Sequence, residues 1–340
     1  MTTTKIRRLS TGAGIPPEFG ECRMQMATTG REYLRWRRSP DNLHHSSTDI
    51  ETRACNMAQT LHIAVFNTDI PVPEVFTQRA SSYGKIFDEL LTAAAQRTQP
   101  NITIKTTEYD TRKFEYPPTL DDVDLILITG SINSAYDDIP WVHKLEQFII
   151  DTYRDYPQVK WFGSCFGHQL ICQALLKQYG VRVDADERGW ELGVKTMAMD
   201  SKFRKDFVER GFKVPEKMRL QFVHGDFVVV PDLERLPQGW SIMGSTEWCA
   251  NQGMMEAGRV LTFQGHFEFD RFVNSETIKT FFARKAPEWL EDSLKAVDAD
   301  DDAELAAEMV LSFIMHPGLA AQNKGYAKVG GLMTPPGEHV

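Results

Sequence analysis

From Leu61 onward, short apolar runs alternate with longer segments whose apolar residues recur at helical spacing, and no other feature constrains this chain as much. The runs at 61–66, 102–106, 124–129, 159–162 and 181–183 read as buried strands. Helix-period segments lie between them at 82–97, at 141–154 behind Pro140 and at 168–179 ahead of Gly180, where a first-turn proline and a terminal glycine suit helix ends. Strand and helix in strict alternation build crossover units, so the expected core is a doubly wound α/β sheet, mostly parallel. Beyond about residue 190 the runs become shorter and denser, at 193–198, 220–223, 227–230, 241–244 and 259–263, and read as added antiparallel strands.

This pattern bounds the domain at 57–285. Residues 286–340 form an expected helical and irregular tail that packs on it. The acidic run Asp298, Asp300, Asp301 and Asp302 reads as a solvated helix start, because carboxylates favour the N-terminal end of the helix dipole, and an amphipathic stretch follows at 303–314. Residues 1–56 carry few periodic apolar positions and are expected outside the fold. Their arginines suggest a transit peptide, but Glu18, Glu21, Glu32, Asp41, Asp49 and Glu51 argue against one. Met57, just ahead of the first strand run, is a candidate start of translation.

Lys and Arg number 38 against 47 Asp and Glu, a net charge of -9 that offers no basic footprint for nucleic acid. The apolar runs are too short for a membrane span. The five cysteines are scattered and none forms a Cys-x-x-Cys pair, which argues for free thiols in a reducing, cytoplasmic setting and against structural zinc.

Chemistry concentrates in two segments. In the first, a strand run feeds Gly163-Ser164-Cys165-Phe166-Gly167 and a helix period follows at once. Glycines two residues either side of a cysteine fit a nucleophile elbow, a strand-to-helix turn too sharp for side chains at those places. Cys165 would stand at its tip against the positive end of the helix dipole, which favours thiolate, and the next N–H, that of Phe166, could donate to an oxyanion. Cys172, inside the helix period, is assigned to packing, and His168 to a place beneath the turn. The second segment is Gln264-Gly265-His266-Phe267-Glu268. In extended chain His266 and Glu268 would project to one side, base and orienter, with Phe267 and Phe269 turned away. Asp270, two residues on, is the rival orienter, and His224 is a further histidine with a structural reading.

These segments resemble the class I, or triad, glutamine amidotransferases. Residues 163–169 match the G-x-C-x-G-x-Q motif and Gly265-His266-Phe267-Glu268 matches G-H-P-E, with Phe267 in place of the usual proline. Residues 127–132 are similar to the loop that completes the oxyanion hole, with Gly130-Ser131-Ile132 where Gly-Gly-Pro is commoner, and residues 223–226 to a histidine-aspartate segment ahead of the last strand. The wording is closest to stand-alone, GMP synthase-like members of the family. The resemblance implies a flavodoxin-like α/β fold, Cys165 as nucleophile, His266 as general base and acid, and Glu268 as orienter. It further implies an oxyanion hole from Gly130, Ser131 and Phe166, Gln169 as a substrate-binding residue, and no metal or organic cofactor. The expected substrate is glutamine or another γ-glutamyl compound. Since no Gly-x-x-x-x-Gly-Lys-[Ser/Thr] loop occurs, any ammonia-accepting synthetase would be a separate partner. Two alternatives stand beside glutamine hydrolysis: a γ-glutamyl peptidase acting on glutathione conjugates or γ-glutamyl peptides, and a non-catalytic binding or regulatory protein of the same fold.

Overall fold

Alternation along single strands divides the interior into two layers. On β1 (Gln59–Asn67), Leu61, Ile63 and Val65 enter one apolar cluster while Ala64 and Phe66 enter another, and on β3 (Leu125–Ile128) Leu125 and Leu127 part in the same way from Ile126 and Ile128. Successive side chains of a strand face opposite ways, so a strand buried on both sides needs helices over each face. This computed structural model describes residues 59–316. The readings made above for 1–56 and for the end of the chain past 316 lie outside the described residues.

The central sheet also contains β2 (Ile102–Asp110), β4 (Lys160–Ser164), β9 (Trp240–Ile242), β11 (Gly253–Glu256) and β12 (Val260–Phe263), in the order β2-β1-β3-β4-β12-β11-β9. The first five are parallel, and β11 and β9 run antiparallel to their neighbours. This flavodoxin-like arrangement confirms the expected class, with one correction. The run 259–263, read as an added antiparallel strand, supplies the fifth parallel strand, since a run of buried residues reports a strand but not its direction. Antiparallel additions do occur: β6 (Glu191–Met199) lies between β7 (Lys217–His224) and β10 (Gly244–Ser245), and β5 (Arg182–Ala185) pairs with β8 (Asp226–Val229).

The short α1 (Pro73–Gln78) precedes α2 (Tyr83–Thr98), which starts at Ser82, whose hydroxyl accepts from the Lys85 N–H. Helices α3 (Pro140–Asp155) and α4 (Phe166–Leu176) cover the Phe66 face with Leu145, Ile149, Leu170 and Ile171. A helical turn, 177–179, continues from α4, so the helix expected from 168 opens two residues earlier, directly behind Cys165. Past α5 (Ser201–Val208) come α6 (Arg271–Phe282), α7 (Pro287–Val297) and α8 (Ala303–Met315).

Helix α8 is a core element: Ala306, Ala307, Val310, Leu311, Phe313 and Ile314 share the Leu61 cluster with Phe87 and Leu91 of α2. The acidic run opens it as expected, but Asp302 is anchored, accepting from the Arg219 backbone at 2.8 Å and from its guanidinium at 3.0 Å. At the other end the Lys160 ammonium donates to the carbonyls of Phe313, Ile314 and His316, a cation against the negative end of the dipole. Burial, helped by nearby Arg210, lowers its pKa to about 8.

Candidate active site

The strand order reverses between β1 and β3, and in such sheets ligands bind beyond the carboxyl ends of the strands at that point. Thr68, Gly130, Cys165 and His266 all follow such ends. At Cys165 the backbone holds φ 50° and ψ -104°, a region that side-chain-bearing residues avoid, and its N–H donates to Phe263 O at 2.8 Å. The flanking glycines are required by close approach. A Cβ on Gly163 would lie 2.5 Å from the Gly167 carbonyl carbon, and one on Gly167 would lie 2.3 Å from Ile128 O. The cysteine is thus presented at the start of α4, as the spacing suggested.

The chain turns after β12 instead of continuing as a strand, and only the His266 backbone bridges to Gln221 of β7. His266 and Glu268 still meet. Nδ1 of His266 is 2.7 Å from Glu268 Oε1, both residues are buried, and Nε2 has no hydrogen-bond partner. Burial alone would lower the imidazole pKa; the Glu268 charge, then Cys165, outweighs it and pushes it up to about 10. The same Glu268 oxygen accepts from Ser164 Oγ at 2.8 Å. Ser164, the residue before Cys165, therefore ties the carboxylate to the elbow, a contact that a motif position written as x concealed.

Two side chains, Phe269 and Asp270, depart from the expected layout. Phe269, read as facing away, stacks on the imidazole with ring centroids 4.0 Å apart, because the chain bends at 267–268. Phe267 does turn away and packs against Phe87, Phe162 and Phe263. Asp270 is not placed to orient His266: it caps α6, accepting from the Val273 N–H at 2.8 Å, and stands 3.5 Å from Arg79.

On the other side of the thiol, a Cβ on Gly130 would stand 3.0 Å from His266 Cε1 and 3.6 Å from Cys165 Cβ, so this backbone borders both. Thr68 holds it, its hydroxyl donating to Gly130 O at 2.8 Å, and Asp69 accepts from the Ile132 N–H at 2.9 Å. Further along this loop, Ser134 and Tyr136 donate to the Asp226 carboxylate. Gly130, Ser131, Ile132, Cys165 and His266 line one cavity, together with Asp69, Tyr83, Phe269 and Phe281. Ile132 and Phe281 keep 61% and 37% of their surface exposed at its edge.

Gln169 is buried beneath the elbow and donates to Asp226 O at 3.0 Å and to Gln264 Oε1 at 3.1 Å. His168 is packed away as expected, 2.8 Å from Thr262 Oγ1, with burial lowering its pKa to about 3; burial likewise pushes the Cys172 thiol up to about 12. His224 pairs with buried Glu191 at 2.9 Å and with Asp226 O at 2.9 Å, a structural position.

The family model for glutamine amidotransferase class-I matches residues 82–285. The chain belongs to this family. Similarity to a glutamine amidotransferase-like protein of Schizosaccharomyces pombe reaches 31% identity over 75% of this chain and 98% of the relative. Gamma-glutamyl peptidase 5 of Arabidopsis thaliana is 26% identical over 51% of this chain and 68% of its own. Among solved structures, a glutamine amidotransferase from Thermotoga maritima superposes with TM-score 0.51 and 18% identity, covering 75% of this chain and 99% of that one. That likeness identifies the shared fold of this amidotransferase domain. Among the described residues no helix is long and apolar enough to cross a membrane.

Proposed function

We propose that this protein hydrolyses a γ-glutamyl amide, glutamine in the first instance, through a thioester on Cys165. The observation that carries this reading is the buried Cys165, His266 and Glu268 set, with the cysteine on a strained elbow and the imidazole held at Nδ1 by a carboxylate. The thiolate attacks the γ-carbonyl carbon. The Phe166 N–H, first in α4, meets the resulting oxyanion from one side. On the other, a trans peptide directs its N–H opposite to its carbonyl, so with the Gly130 carbonyl bound by Thr68 the Ser131 N–H points away from Thr68 and is the second oxyanion donor of this reading. Imidazolium Nε2 then gives its proton to the departing amine. Water attacks the thioester while Nε2 takes a proton from it, and the C–S bond breaks to release glutamate and thiolate. Gln169 completes the substrate side from beneath the elbow through its remaining acceptor, Oε1.

A second reading, γ-glutamyl peptide cleavage, is favoured by one observation: exposed Ile132 and Phe281 border the cavity, where an apolar leaving group would lie. Four of the relatives carry the name gamma-glutamyl peptidase. A separate synthetase that accepts ammonia belongs to the first reading only. The test is labelling with a diazo-oxo analogue of glutamine, followed by kcat/KM for glutamine against γ-glutamyl peptides. An adduct at Cys165 is expected, and the ratio of the two constants chooses between the readings. A folded protein without an adduct would leave the non-catalytic, binding alternative.

A further inference from the structure

We propose that Gln264 is a further catalytic residue, a side-chain donor to the Cys165 sulfur whose orientation is imposed by Gln169. This rests on the reading of Cys165 as nucleophile. Strand β12 is in register with β4 so that Phe263 lies beside Ser164, which brings the next residue, Gln264, beside Cys165. Its Nε2 lies 3.5 Å from Sγ, and the side chain is fully buried.

The direction of that amide is determined by its neighbours. A backbone carbonyl can only accept, so the Gln169 atom 3.0 Å from Asp226 O is nitrogen. The same nitrogen lies 3.1 Å from Gln264, whose facing atom must then be oxygen. That leaves the Gln264 NH2 on the sulfur side. Asp226 O is itself held by His224, and His224 by Glu191, so the chain of orientation ends at a buried carboxylate. Donation to sulfur favours thiolate over thiol before attack. It also serves deacylation, when the C–S electron pair returns to sulfur opposite the Gln264 N–H while His266 takes the proton of water.

Other groups act on the thiol as well. His266 faces it with Glu268 behind, and Asp69, from beyond β1, and Tyr83, from α2, line the same cavity. All of these stay in place when Gln264 alone is changed, so differences between variants isolate it.

The experiment follows alkylation of Cys165 by iodoacetamide as a function of pH, with peptide mapping to assign the label, in the wild type, Gln264→Met, Gln264→Glu and Gln169→Met. Loss of the donor in Gln264→Met is expected to raise the midpoint by about one pH unit, a tenfold loss of thiolate below it. Gln264→Glu, which can still accept from Gln169 but places negative charge on the sulfur, should raise it further. Gln169→Met should raise it less, because the donor remains and only its hold is lost. A midpoint at or below the wild-type value in whichever folded Gln264 variant is measured overturns the proposal. Absence of any label on Cys165 in the wild type would instead sink the nucleophile reading, so the two failures are distinguishable.

Discussion

Cys165, the proposed nucleophile, sits on a strained backbone, and the proposed role and the strain separate on mutation. Cys165→Ala and Cys165→Gly should both abolish γ-glutamyl hydrolysis. A non-glycine residue at φ 50°, ψ -104° costs about 1–3 kcal/mol, while glycine forfeits about 0.4–1 kcal/mol through the freer unfolded chain. Cys165→Gly should therefore be more stable than Cys165→Ala by about 1 kcal/mol in denaturant unfolding, and equal stabilities would count against strain at the elbow. The orienter admits a similar comparison. Glu268→Gln keeps a hydrogen-bonding partner for Nδ1 but removes the charge that stabilises the imidazolium, so kcat should fall about 10- to 1000-fold. Asp270→Ala, which removes a cap, should cost about 1 kcal/mol of stability and leave kcat within a few-fold. A large loss of kcat in the Asp270 variant alone would move the role from Glu268 to Asp270.

The elbow works as an element because β3, β4 and α4 approach more closely than any side chain allows. Gly167→Ala would improve helix propensity by about 1 kcal/mol, yet its Cβ would lie 2.3 Å from a backbone oxygen that cannot swing aside. Overpacking of this kind costs about 1–3 kcal/mol or more, so destabilisation should win and both melting temperature and kcat should fall. An unchanged melting temperature would contradict the packing described. The sharp turn into α4 was legible in the spacing of the two glycines, although the helix opens at Phe166, two residues ahead of the expected start. The direction of β12 was not, because four buried residues in a row look alike whichever way the strand runs.

Over the whole molecule, ionisation of the site is linked to stability. The His266 pKa is raised from 6.5 in the unfolded chain to about 10 in the folded one, so folding takes up a proton between these values. The resulting stabilisation is complete below pH 6.5 and is lost as pH rises toward 10. The unfolding free energy of the wild type relative to His266→Gln should accordingly be largest at and below pH 6.5 and shrink steadily above it, as measured by urea titration at several pH values. A difference that grows with pH would refute the charged pair. The sequence by itself determined the strand and helix alternation, the elbow at Cys165 and the candidacy of His266 and Glu268, because periodicity and tight turns are properties of neighbouring residues. Only the tertiary structure decided that Asp270 caps a helix, that Ser164 and Thr68 secure the two sides of the site, that Phe269 stacks on the imidazole and that Gln264 reaches the sulfur. Those contacts join segments remote in the chain, and they depend on strand register and on the packing of residues such as Phe267, which local patterns do not encode.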